Sequence, residues 1–211
     1  MIIFDKYGIK VFARELPGDT PRRGPGRALA ERAAVKRLLR EAFPLDPSMS
    51  IAHMPSGAPF LTRGDDGEES PSPSPLLPSI SISHCSGMAA LAIAPSGMRI
   101  GIDCEGGDRM ASLQRTASRF LSPAQMPQWG EYPSSLWAWC IKEAAYKAAM
   151  QPGLPLASIP LPLEIPLGET TPDAVIEISG TRYDVVQADT LEIPAILMLA
   201  FAEETPGLDK K

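Results

Sequence analysis

Two pairs of residues have the types and the spacing for chemistry. In the stretch Gly101-Ile102-Asp103-Cys104-Glu105, the apolar run from Met98 to Ile102 reads as a strand, and a strand's period of two turns Asp103 and Glu105 to one face. Two carboxylates side by side repel. Either that face is wet, or a cation holds it, and a hard divalent ion with oxygen ligands such as Mg2+ suits the pair. In the stretch Trp139-Cys140-Ile141-Lys142-Glu143-Ala144-Ala145-Tyr146-Lys147, helical spacing puts Trp139, Glu143 and Lys147 on one stripe. An acid four residues before a base is either a surface ion pair or the start of an acid–base site.

A third stretch lies upstream. Ser79-Ile80-Ser81-Ile82-Ser83-His84-Cys85-Ser86 alternates Ser and Ile strictly, which is a strand pattern ending just before Gly87, and residues 88–94 answer it as a hairpin partner. His84 by itself is either a satisfied core histidine or a ligand-binding group. The three stretches, in this order, resemble the phosphopantetheinyl transferase superfamily. Its members carry a Ser-His strand end, then a Gly-(Ile/Val)-Asp-x-Glu strand about twenty residues on, then a Trp-x-x-Lys-Glu-(Ala/Ser)-x-x-Lys helix. Arg119-Phe120-Leu121-Ser122 also looks like the family. The resemblance spans roughly residues 22–154, and the length points to the long, two-lobed type that activates peptide synthetases and many carrier proteins.

The resemblance implies an α+β fold of two pseudo-symmetric lobes, each a small, mainly antiparallel sheet packed on a long helix. Residues 1–97 would form the N-terminal lobe and 98–211 the lobe carrying the metal site, with a boundary near residues 95–98. It implies transfer of the phosphopantetheine arm of coenzyme A to a serine of an apo acyl or peptidyl carrier protein, with Mg2+ as cofactor and 3',5'-ADP released. Asp103, Glu105 and Glu143 would ligate Mg2+. Glu143 would be the base, and Lys147 would stabilise or protonate the leaving phosphate. Lys142 would hold a phosphate or carboxylate, and Ser83 and His84 a phosphate of the coenzyme. Arg22, Arg23 and Arg27 are the candidates for its 3'-phosphate, with Arg32 competing for the place of Arg27 in the alignment. Because two lobes supply both halves of the cleft, a monomer suffices.

Two positions depart from the family. In Ser56-Gly57-Ala58-Pro59-Phe60-Leu61, Ala58 stands where a basic residue usually meets the coenzyme, and Gln125 stands where Glu is usual. These departures keep open a non-enzymatic relative that binds coenzyme A or a carrier protein without turnover. A different Mg2+-dependent phosphoryl or nucleotidyl enzyme would call for a Gly-rich phosphate loop, and the sequence has none.

Composition sets the outer limits. With 211 residues and 44% hydrophobic content, the chain can build one domain or two small ones. A net charge of -5 argues against a general nucleic-acid binder. Basic residues still gather at Arg14, Arg22, Arg23, Arg27, Arg32, Lys36, Arg37 and Arg40, a cluster that fits an anionic ligand or a solvated helix face equally well. No apolar run reaches the ~18 residues of a membrane span, so no membrane partner is expected. The start Met1-Ile2-Ile3-Phe4-Asp5-Lys6 lacks a signal-peptide pattern, and Cys85, Cys104 and Cys140 lack paired zinc spacing and are odd in number; both point to a cytoplasmic protein with reduced thiols. Alternation with Asp103 and Glu105 turns Cys104 toward the core.

The remaining elements follow from local pattern. Residues 2–12 read as one strand and 27–43 as a helix stopped by Pro44. Residues 62–79 are a Ser/Pro-rich insert read as a loop. Residues 109–120 read as a helix, and Ser122 with Pro123 as the N-cap and first position of another. Residues 136–150 form the Lys-Glu helix, and 174–179, 181–187 and 195–202 are strands with Gly180 at a turn.

Overall fold

A computed structural model describes residues 1–63, 72–131, 133–163, 174–188 and 195–202. Residues 64–71 of the Ser/Pro-rich insert lie outside them. The chain is α+β. Its strands are β1 (Ile2–Lys6), β2 (Ile9–Glu15), β3 (Met49–His53), β4 (Pro59–Arg63), β5 (Ser79–Cys85), β6 (Met88–Ala94), β7 (Arg99–Gly106), β8 (Ala174–Ile178), β9 (Thr181–Ala188) and β10 (Ala195–Ala202). Its helices are α1 (Pro25–Ala42), α2 (Met110–Thr116), α3 (Met126–Trp129) and α4 (Ser134–Ala149).

Two antiparallel sheets of four strands, ordered β1-β2-β6-β5 and β7-β10-β9-β8, carry the architecture, and β3 and β4 form a separate hairpin. Strand alternation sorts the side chains into layers. On β6, Ala89 and Leu91 face a core shared with Leu38 and Leu39 of α1, whereas Met88, Ala90 and Ala92 face a second core shared with Ile100, Ile102 and Cys104 of β7. On β10, Leu197 and Leu199 enter that second core, and Met198 and Ala200 enter a third with Ala144, Ala145 and Ala148 of α4. The order of layers is α1, first sheet, second sheet, α4. The turn at residues 95–98 separates the strands of one sheet from those of the other.

Several elements differ from the sequence pattern. The single strand expected over 2–12 is a hairpin, because Tyr7 and Gly8 both adopt positive φ (57° and 73°), the conformation of a two-residue turn that reverses the chain. The helix expected over 109–120 is broken into 3-10 turns at Gly107–Arg109 and Ala117–Arg119 around the shorter α2. Ser122 does not cap a helix directly: α3 starts at Met126, and the Gln125 side chain folds back to accept the Ser122 N–H at 3.0 Å. No helix among the described residues is long and apolar enough to cross a membrane.

Candidate active site

The contact between β7 and α4 builds the centre of the site. A Cβ added to Gly101 would lie 2.0 Å from the Ala144 carbonyl oxygen and 2.6 Å from the Ala148 nitrogen, so only glycine allows helix and strand to meet this closely. Alanines at 144, 145, 148 and 149 keep the facing helix surface small. Gly101, Asp103 and Glu105 share a strand face, so α4 covers both carboxylates. Asp103 is 6% exposed and Glu105 7%. The wet-face alternative is thereby excluded. Cys104 points the other way, into the core between the sheets, as alternation required.

Two serines join the sheets. β5 and β7 are edge strands of different sheets, and each leaves backbone groups without a ladder partner. Ser81 Oγ accepts the Ile102 N–H at 3.0 Å, and Ser83 Oγ accepts the Cys104 N–H at 3.1 Å, so the Ser-x-Ser spacing matches alternate N–H groups of β7. Ser83 Oγ also donates to Asp103 Oδ1 at 3.0 Å. Lys147 Nζ completes this corner, donating to Asp103 Oδ1 at 2.7 Å, to the Ile102 carbonyl at 2.8 Å and to Ser83 Oγ at 3.4 Å.

Glu105 has its own cation. Its Oε1 lies 3.0 Å from Nη1 of Arg109, whose guanidinium stands 5.8 Å from the centre of the Trp139 ring; Trp139 in turn meets Phe120 edge-on at 5.1 Å. Burial pushes the Glu105 carboxyl up to about 7; the Arg109 charge pulls against this, and the Asp103 charge adds to it. Glu143, half-buried on α4, is raised by burial and by Asp103, with Lys147 and Arg109 opposing. Its carboxylate makes no hydrogen bond or ion pair among the described residues.

The donor set suits a hard cation. Asp103 Oδ2 is buried and has no hydrogen-bond partner among the described residues, and Asp103 acts electrostatically on both Glu105 and Glu143. As arranged, however, no group of three or more His, Cys, Asp or Glu side chains among the described residues forms a ready metal cradle. Lys147 pairs with Asp103 Oδ1 and Arg109 with Glu105 Oε1, so each carboxylate already carries one protein cation.

The basic end of the site gathers on α1 and β5. Glu31 Oε1 accepts from Arg27 Nε at 2.6 Å and lies 3.2 Å from His84 Nδ1. Arg27 Nη1 also donates to the Arg22 carbonyl at 3.1 Å, while the Arg22 and Arg23 side chains are exposed. Arg32 turns back on its own helix, to the Ala28 carbonyl, so Arg27 is the arginine of α1 directed at β5. The sequence reading missed Glu31 and Arg109. The i, i+4 spacings Arg27–Glu31 and Glu105–Arg109 were the available signals, and neither reveals burial.

Two expected contacts are corrected. Lys142 is fully buried, its Nζ donating to the Leu156 carbonyl at 2.8 Å and to the Ile159 carbonyl, and burial lowers its pKa to about 8. It ties α4 to the chain that follows instead of facing a phosphate. Ser83 and His84, expected on one ligand, point to opposite faces of β5: the serine hydroxyl is buried at Asp103, and the histidine is about half exposed beside α1. The Gln125 departure also has a local account, since its amide donates to the Ile159 carbonyl at 3.1 Å, which a carboxylate cannot do. A cavity of about 870 Å3 opens near the starts of β5 and β7, with Phe60, Ile80, Met98, Ile100 and Met150 in its walls, and it is lined by none of the candidate site residues.

Neither a protein-family model nor a curated protein matches the chain.

Proposed function

We propose that this chain transfers the phosphopantetheine arm of coenzyme A to a serine of an apo acyl or peptidyl carrier protein, acting as a cytoplasmic monomer. The observation that carries the reading is the orphaned Asp103 Oδ2, buried beside Glu105, with Glu143 and Lys147 delivered to the same place by α4.

The reaction needs a proton acceptor, charge neutralisation and a hold on the nucleotide. The serine Oγ forms a bond to the β-phosphorus of the coenzyme diphosphate, the bond from that phosphorus to the bridging oxygen breaks, and 3',5'-ADP departs. Glu143 takes the serine proton: its carboxylate lacks a partner among the described residues, and its raised pKa makes it a stronger base than a solvated glutamate. Asp103, Glu105 and Glu143 are the residues that would hold Mg2+, which when bound neutralises the diphosphate as a Lewis acid. Lys147 supplies a fixed positive charge at Asp103, the corner toward which the leaving phosphate's charge develops. Arg27, His84 and the exposed Arg22 and Arg23 are the cations for the 3'-phosphate.

The test is transfer from coenzyme A to several apo carrier proteins, with Mg2+ present and then chelated, read by intact mass. A metal-dependent gain of one phosphopantetheine is expected. No gain on any carrier, with coenzyme A still bound, would replace this reading with that of a binding protein without turnover. Ala58 favours that second reading, because it removes a cation from the expected coenzyme contact.

A further inference from the structure

The carboxylate site carries a cation that the proposed reaction does not use. Arg109 lies 3.0 Å from Glu105, and the sequence motifs give no reason for it to be there. The two lysine and arginine contacts in the site differ in how easily they can be broken. Lys147 Nζ is held by three oxygens, two of them on β7, and its side chain is 30% exposed. Arg109 has one carboxylate partner, a side chain 46% exposed, and a second seat on the face of Trp139, which the edge contact with Phe120 holds in place. A guanidinium can swing off the carboxylate and stay over the indole, keeping its cation–π contact while water solvates its free edge.

We propose that Arg109 is a resident counter-ion of Glu105 that competes with a divalent metal ion for this carboxylate, and that it moves onto Trp139 alone when the metal binds. Resting on the proposed function, this assigns Arg109 a positioning and regulatory role. In the empty site it lowers the cost of holding Glu105 charged beside Asp103, and it sets the metal concentration at which the site fills. Glu105 cannot give its full negative charge to both cations. A metal ion therefore gains whatever attraction Arg109 gives up, and replacing Arg109 with a neutral side chain leaves the carboxylate free for the ion. A partly exposed ion pair is worth about 1 kcal/mol, which corresponds to about fivefold in affinity.

The experiment is a titration of the full chain with Mn2+, without coenzyme A, reading free Mn2+ by electron paramagnetic resonance. Wild type, Arg109→Gln, Arg109→Lys and Glu105→Gln are compared. Arg109→Gln is expected to bind Mn2+ about fivefold more tightly than wild type, Arg109→Lys to stay close to wild type because it keeps the charge, and Glu105→Gln to bind more weakly. Equal or weaker binding by Arg109→Gln overturns the competition, as does a gain by Arg109→Lys as large as that of Arg109→Gln. If wild type binds no Mn2+ and none of the variants does, the carboxylate site itself fails and the proposed function falls with it; binding by wild type that Arg109→Gln does not improve removes only the role of Arg109.

Discussion

Gly101 and Ala144 meet backbone to backbone, so closely that a Cβ on the strand residue would lie 2.0 Å from the helix carbonyl oxygen. This contact sets the height of α4 above Asp103 and Glu105. Gly101→Ala forces the helix off the strand, and we expect a loss of about 2–3 kcal/mol in urea denaturation, at the upper end of overpacking costs. A variant as stable as wild type would mean that α4 has room to move and does not fix the site.

The pair Asp103–Lys147 should behave as a buried ion pair with one partly exposed member. Lys147→Met leaves the Asp103 carboxylate with only the Ser83 hydroxyl, and we expect it to cost about 2–3 kcal/mol, below the full cost of breaking a buried pair because Lys147 is partly solvated. Combining it with Asp103→Asn should recover at least half of the loss. Additive losses in the double variant would show that the two side chains do not interact.

Much of this site was legible in the sequence, and the reason is periodicity. Alternation along Met98 to Glu105 fixes which face holds the carboxylates, and the 139, 143, 147 spacing fixes which helix stripe faces them, so two local rules bring Asp103 and Lys147 together once strand and helix touch. The α+β fold class was what the family resemblance implied, and the strand and helix patterns agreed with it. What failed depended on burial or on turns. Lys142 lies off the stripe of Trp139, Glu143 and Lys147, and helix rotation sends it into the core, where two carbonyls replace water. Ser83 and His84 are neighbours in sequence and must therefore part across the strand. The Tyr7–Gly8 turn was hidden because tyrosine rarely takes positive φ, and residues 2–12 read as one strand. Arg109 and Glu31 were missed because an i, i+4 ion pair looks the same in sequence whether solvated or buried.

Glu105 should make stability depend on pH in the direction opposite to an ordinary salt-bridged carboxylate. Its pKa of about 7 in the folded chain lies above the ordinary 4.5, so between those values the folded state binds more protons than the unfolded one. The stability this contributes is fully present below pH 4.5 and is lost as pH rises through about 7, at most about 3 kcal/mol. Urea denaturation of wild type and Glu105→Gln across pH 4.5 to 8.5 should show the variant gaining on wild type as pH rises. A difference independent of pH would mean that Glu105 stays ionised throughout.

At the basic end, Arg27 and His84 share the Glu31 carboxylate, and we expect both to contribute to recognition of the 3'-phosphate of coenzyme A. Wild type should bind coenzyme A more tightly than the dephospho form, and Arg27→Ala and His84→Ala should each reduce that preference about tenfold while leaving affinity for the dephospho form nearly unchanged. Equal losses for both ligands, measured by calorimetry, would place these residues outside the phosphate contact.

Glu143 separates binding from chemistry. Its carboxylate makes no hydrogen bond or ion pair among the described residues, so Glu143→Gln keeps the shape and the packing of α4 while removing the proposed proton acceptor. We expect transfer to fall about 10²- to 10⁴-fold, the usual contribution of a positioned base, with coenzyme A still bound. In the wild type, the rate should rise with pH as the carboxyl, held above its ordinary range by burial and by Asp103, loses its proton. A Glu143→Gln enzyme that transfers at the wild-type rate would remove Glu143 from the reaction and leave the buried carboxylates of Asp103 and Glu105 as the candidate acceptors.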